Sequence, residues 1–202
     1  MVTKSRMVTV EEFMALPNDG NRHELVRGEI RVMSPPKWKH GVIEAGLMAK
    51  VMDYLERRAT ALGWTPDQGL EARWRLVGLV GVGEVGMQFT LPDDPHQIRG
   101  ADGVYIPPEQ LAQVSWDEDS YFPGVPHLVI EVISASETAT DVAEKVQDYL
   151  RGGARRVWCV YPRIRGIHIH ALDAPSRIIE WPEMLTDDII PGFALPLNQL
   201  FP

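Results

Sequence analysis

Cysteine is nearly absent: Cys159 is the single one in 202 residues, so no internal disulfide can staple the chain. Long apolar runs are missing too. Nothing approaches the roughly 20 residues that cross a bilayer as a helix, and the first twenty residues lack the apolar stretch of a secretory signal. These absences exclude an integral helical membrane protein and predict a cytoplasmic one in a reducing compartment. Positive charge is also scarce, with 20 Lys and Arg against 28 Asp and Glu and a formal net charge of −8. That balance excludes a basic packaging protein and disfavours binding nucleic acid by bulk electrostatic attraction.

What is present is the composition of a soluble globular chain, 45% hydrophobic and 24% charged, and a single domain over residues 1–202 is expected. Its acidity is local. Residues 76–150 hold 13 acidic and 2 basic side chains, whereas residues 21–75 hold 10 basic and 7 acidic.

Thr9-Val10-Glu11-Glu12 has the spacing of a capping box and predicts a short helix through Leu16. Alternation from His23 to Met33 predicts a hairpin turning at Arg27-Gly28. After Pro35-Pro36, Val42, Gly46, Leu47, Val51, Leu55 and Ala59 recur at helical spacing until Gly63. Residues 69–106 read as several strands separated by glycine and by Pro92-Asp93-Asp94-Pro95, and residues 107–126 as a loop. His127 to Ile133 is a near-continuous apolar run, the pattern of a strand covered on both faces. Asp141 can cap a helix that runs to Leu150 and ends at Gly152-Gly153, and Arg156 to Tyr161 is a second apolar strand. Strand, helix, strand is a βαβ unit in a parallel or mixed sheet, so the fold class is α/β. Two short strands, over residues 166–172 and 177–181, follow.

Glu131 is the most informative residue, because a carboxylate inside Val129-Ile130-Glu131-Val132-Ile133 needs a partner once it leaves water. An isolated buried carboxylate costs several kcal/mol, a large share of the roughly 5–15 kcal/mol that holds a domain together. A strand-end salt bridge or a bound divalent cation would each meet the need. Asp102 stands at the entrance to another apolar strand, where a turn aspartate is the plain alternative. Lys145 shares a helix face with Asp141 and Tyr149, and by itself reads as a solvated lysine paired with Asp141. Glu24, on the first hairpin strand, reads equally as an exposed strand residue. Together these groups match the needs of phosphodiester hydrolysis: oxygen ligands for a cation, a water activated beside it, and positive charge for the transition state. The lysine can orient or deprotonate the water, or offset charge on the phosphate, according to its pKa.

The same segments carry a family resemblance. Thr9 to Phe13, His23-Glu24-Leu25-Val26-Arg27-Gly28-Glu29-Ile30, Ser34-Pro35 followed by His40, Arg99 to Val104, and Glu131-Val132-Ile133-Ser134 leading through Asp141, Lys145 and Tyr149 to Tyr161-Pro162 resemble the bacterial Uma-type proteins. These are domains of unknown function assigned to the restriction-endonuclease-like PD-(D/E)XK superfamily. The resemblance implies a central mixed sheet flanked by helices and a Mg2+- or Mn2+-dependent endonuclease acting on DNA. It makes Asp102 and Glu131 the paired metal ligands, with the Val132 backbone carbonyl as a further donor and Glu24 completing the site. Ile133 occupies the superfamily's usual lysine position, so Lys145 becomes the migrated lysine. His40 is a candidate phosphate or ligand contact, and Arg22, Lys37 and Lys39 are candidates for the phosphate backbone. Ala101 and Ala135 depart from the family pattern, which has proline at both places.

The competing class is a nuclease-fold binding or regulatory module without turnover; a hydrolase of another phosphorylated substrate fits the same residues. A homodimer, able to cut both strands, is expected by analogy. His168 and His170 alternate on one strand without an evident third ligand and read as ordinary surface residues. Trp158, Cys159 and Val160 read as core, and the acidic Trp116-Asp117-Glu118-Asp119 as a solvated loop.

Overall fold

The structure, a computed structural model, describes residues 6–115 and 120–201. Helix α1 (Val10–Met14) opens with the expected capping box, Thr9 and Glu12 each accepting the other's backbone amide, but ends two residues short of Leu16. Strands β1 (Arg22–Val26) and β2 (Glu29–Met33) form the predicted hairpin. Its turn residues Arg27 and Gly28 both take positive φ, 52° and 72°, a geometry that matches the twist of the paired strands. Helix α2 (Trp38–Ala61) buries Ile43, Leu47, Val51, Leu55 and Ala59, one side chain per turn, against the sheet.

Residues 69–77 depart from the expectation of strands: they form helix α3 (Gly69–Val77). Good helix formers fill it and Arg75 pairs with Glu71 one turn earlier, while Gly69 and Gly78, both with φ of 81°, mark its two ends. Strands β3 (Leu79–Leu91) and β4 (Asp94–Ile106) then form one long hairpin turning at Pro92-Asp93. The expected loop after it contains the single-turn helix α4 (Pro108–Leu111) and the two-residue strand β5 (Phe122–Pro123). The acidic segment Trp116 to Asp119 lies outside the described residues.

Strand β6 (Leu128–Val132), helix α5 (Ala139–Arg151) and strand β7 (Arg156–Tyr161) realise the βαβ unit, with β6 and β7 parallel. Thr138, rather than Asp141, is the helix cap; Asp141 is its reciprocal partner three residues on. Strands β8 (Gly166–Ala171) and β9 (Arg177–Glu180) continue the sheet, and β10 (Met184–Thr186) and β11 (Ala194–Pro196) form a separate pair that the sequence pattern did not announce.

The large mixed sheet runs β2-β1-β4-β6-β7-β8-β9, with β3 bonded to β4 and β5. One apolar core joins α2 to Leu128, Ile130 and Val132 of β6; another joins Val142, Val146 and Tyr149 of α5 to Val129. Glu131 therefore projects from β6 toward α5, by the two-residue alternation of a strand. Trp158, Cys159 and Val160 are fully buried, as expected of core. No helix among the described residues is long and apolar enough to cross a membrane.

Candidate metal centre

The site forms where the sheet opens. Strands β4 and β6 pair only from Gly103 to Tyr105, and beyond Gly103 the two part. Asp102 sits at the parting and replaces the lost strand partner: its Oδ2 accepts the Val132 amide at 2.6 Å. Its other oxygen, Oδ1, lies 3.0 Å from Nε2 of His40, in the first turn of α2. One helical turn later, Glu44 Oε2 is 3.8 Å from the same nitrogen, and Glu44 Oε1 accepts the Gly83 amide at 3.0 Å. One ligand atom from each of His40, Glu44 and Asp102 lies within 4.8 Å of the others, and among the described residues this is the one such group.

His40 Nε2 is buried, and Asp102 Oδ1 at 3.0 Å is its near partner. Asp102 raises the His40 pKa above its ordinary value against the opposing effect of burial, and Glu44 adds to the rise. Burial raises the Glu44 carboxyl, with the neighbouring Asp102 charge acting in the same direction. Two carboxylates thus share one imidazole, an excess of negative charge that a divalent cation would neutralise.

The fully buried Glu131, whose carboxyl the Asp102 charge helps to raise, receives two donors. Lys145 Nζ is 3.1 Å from Oε2 and Tyr149 Oη donates to Oε1 at 2.7 Å. Burial pushes the Glu131 carboxyl up to about 7, Lys145 pulling the other way. Burial also works against the Lys145 charge, but Glu131, Glu24 and Glu137 outweigh it and raise its pKa, so the side chain is an ammonium at neutral pH. The expected pairing of Lys145 with Asp141 does not form: Asp141 holds the helix cap, and Lys145 bonds Glu131 and Glu137 instead.

Glu24 stands apart from the His40 group. Its oxygens accept from Arg99 Nη1 at 3.3 Å and from the Gly100 amide at 3.1 Å. Arg99 is 1% exposed and also bonds Gln97, Glu144 and Asp148, joining β1, β4 and α5 through one buried guanidinium. Val132 meets the site through its amide. Among the predicted phosphate contacts, Arg22 is paired with Glu84, Lys37 precedes the first residue of α2, and the Lys39 ammonium lies 5.7 Å from the centre of the Trp38 ring. His168 and His170 stay away from the site; burial lowers both pKa values, His168 lies against Tyr161, and His170 contacts Ser176.

Glu44 is the residue the sequence reading missed. Its signal was the one-turn spacing from His40, which places both on a single face of α2.

A family profile described as "Putative restriction endonuclease", Uma2, matches residues 10–198. The chain belongs to this family. A solved structure from Anabaena variabilis ATCC 29413, described as a putative nuclease belonging to DUF820, shares the fold with a TM-score of 0.73 at 16% identity, over 96% of this chain and 97% of that one. No curated protein matches. The restriction-endonuclease-like fold expected from the Uma2 resemblance is thus the one observed.

Proposed function

We propose that the chain is a divalent-metal-dependent endonuclease that hydrolyses phosphodiester bonds in DNA. The observation that carries this reading is the meeting of His40, Glu44 and Asp102, with the Asp102 charge reaching the buried Glu131 that Lys145 pairs. Uma2 membership supports it. The donor set suits such an ion: two carboxylates, a buried imidazole nitrogen, and an unbalanced negative charge. One nitrogen among oxygens favours Mn2+ over Mg2+.

In this reading Asp102 holds the ion together with His40 and Glu44, and the Val132 carbonyl is a further oxygen donor. A bound divalent ion supplies charge for the phosphate and acidifies a coordinated water. Lys145, already protonated, donates toward the phosphate or the water and does not act as a base. Glu131 is assigned to the water's proton rather than to the ion, because both of its oxygens are engaged by Lys145 and Tyr149 and its pKa lies near the neutral range that suits a general base. Glu24 acts through Arg99 and Gly100, holding β4 in place. One domain over residues 1–202, assembling as a homodimer, completes the reading.

The test is cleavage of plasmid DNA with added Mn2+ or Mg2+, alongside calorimetric metal titration. Wild-type protein should cut, faster with Mn2+, while Asp102→Asn and Lys145→Ala should not. Activity that survives both substitutions rejects the assignment. Manganese binding without cleavage of any DNA would favour the regulatory module.

A further inference from the structure

A second recess borders the metal centre across a bulge in β3. The register of β3 on β4 shifts between Val82 and Val85, and the residues between them, Gly83 and Glu84, take φ of 83° and 70°. A left-handed backbone at glutamate is strained, a strain that gathers at functional sites, and bulges serve to re-aim side chains there. This bulge serves two sides. Gly83 gives its amide to Glu44, whereas the Glu84 carboxylate pairs with Arg22 and lies over Gly100, where a β-carbon would come within 3.2 Å of Oε2.

Beyond Glu84 lies a cavity of about 330 Å³ between the α1–β1 connection and β4. That volume is at the lower end of small-molecule sites, roughly 300–1,000 Å³. Phe13, Ile98 and Tyr121 give it an apolar side, Glu24 and Glu84 a side of acceptors. Both arginines in its wall, Arg22 and Arg99, are already paired with those carboxylates, so the recess is poorly suited to a phosphate. A flat uncharged ring with amino groups on its edge suits it better: the faces lie against apolar and aromatic side chains and the edge donates to the carboxylates.

We propose that this recess receives one nucleobase of the substrate, swung out of the helical stack beside the phosphodiester to be cut. The proposal rests on the endonuclease reading and names what that site prefers. A base that must leave its stack does so at lower cost in single-stranded or mispaired DNA. Such substrates should bind more tightly than a fully paired duplex.

Photocrosslinking tests the placement, using oligonucleotides that carry 5-iodocytosine at successive positions, with Ca2+ in place of Mn2+, followed by peptide mapping. Adducts should fall on Tyr121, Phe13 or Met14, and a mismatched duplex should bind at least tenfold more tightly than its matched form. Met14→Trp and Asn18→Trp, at exposed positions on the cavity wall, should each remove that preference and leave the manganese-binding isotherm unchanged. Adducts confined to other parts of the chain, or a preference that persists in both variants, overturn the proposal. Cleavage without these adducts refutes the recess alone. Adducts in the recess without Mn2+-dependent cleavage refute the endonuclease reading and leave the recess standing, and no DNA binding at all refutes both.

Discussion

Breaking the Glu131–Lys145 pair should be costly, and the cost should depend on pH. The side chains are 5% and 12% exposed, so removing either leaves a buried charge with little water to replace its partner. Lys145→Met leaves the Glu131 carboxylate without its cation, a loss of about 3–5 kcal/mol at pH 8.5, whereas Glu131→Gln leaves the ammonium with Glu137 alone and should cost less. The double variant should lose less than the sum of the two, with a coupling energy of up to about 3 kcal/mol. The sign of the pH effect follows from Glu131. Its carboxyl is raised from 4.5 to about 7 in the folded chain, so the native state binds the extra proton and stability falls as pH rises from 4.5 through 7. Losing Lys145 raises that carboxyl further and extends the fall to higher pH, at a slope of up to about 1.4 kcal/mol per pH unit. Urea unfolding of the metal-free proteins at pH 5.5, 7 and 8.5 measures both quantities. A Lys145→Met loss below about 1 kcal/mol at pH 8.5, strict additivity, or a Lys145→Met variant whose stability is flat with pH would refute the reasoning.

Other expectations follow from the same geometry. Manganese affinity should rise by about tenfold per pH unit below the raised pKa of His40, since the ion competes with the proton for Nε2, and His40→Ala should flatten that slope in calorimetric titrations. Arg99→Met, which takes the buried cation from Glu24 and Asp148 and leaves them the Gly100 amide and Arg27 as partners, should cost about 3–5 kcal/mol in urea unfolding, and Arg99→Lys should recover only part of it because one ammonium cannot reproduce the four-partner fork. Cys159, whose thiol pKa is driven upward by burial, should resist alkylation until the chain unfolds; labelling of the native protein at neutral pH would contradict this.

The parts legible in the sequence were those written in local periodicity. The one-per-turn apolar residues of α2, the turn at Arg27-Gly28 and the β-branched run around Glu131 each carried their own signal, and each stands where it was expected. Residues 69–77 were misread because the terminal glycines weighed more than the helix formers between them. Glu44 went unseen for a different reason: a glutamate on an amphipathic helix normally faces water. Here long-range pairing decides, with β3 supplying the Gly83 amide and β4 bringing Asp102 onto α2. Lys145 shows the same limit, since helical spacing linked it to Asp141 and only the packing of α5 on β6 linked it to Glu131.

Asp102 also closes the end of β6, and this makes the Val132 amide a spectroscopic reporter native to the site. With 2.6 Å between them, the proton on that nitrogen senses the charge on the carboxylate directly. Its chemical shift should follow the arrival of a cation at Asp102, and its solvent exchange should report whether the last turn of the ladder stays closed. Asn in place of Asp102 retains an acceptor for the amide, whereas Ala leaves the end of β6 free to fray. The two replacements therefore separate the loss of a ligand from the loosening of a strand, without any substrate in the tube.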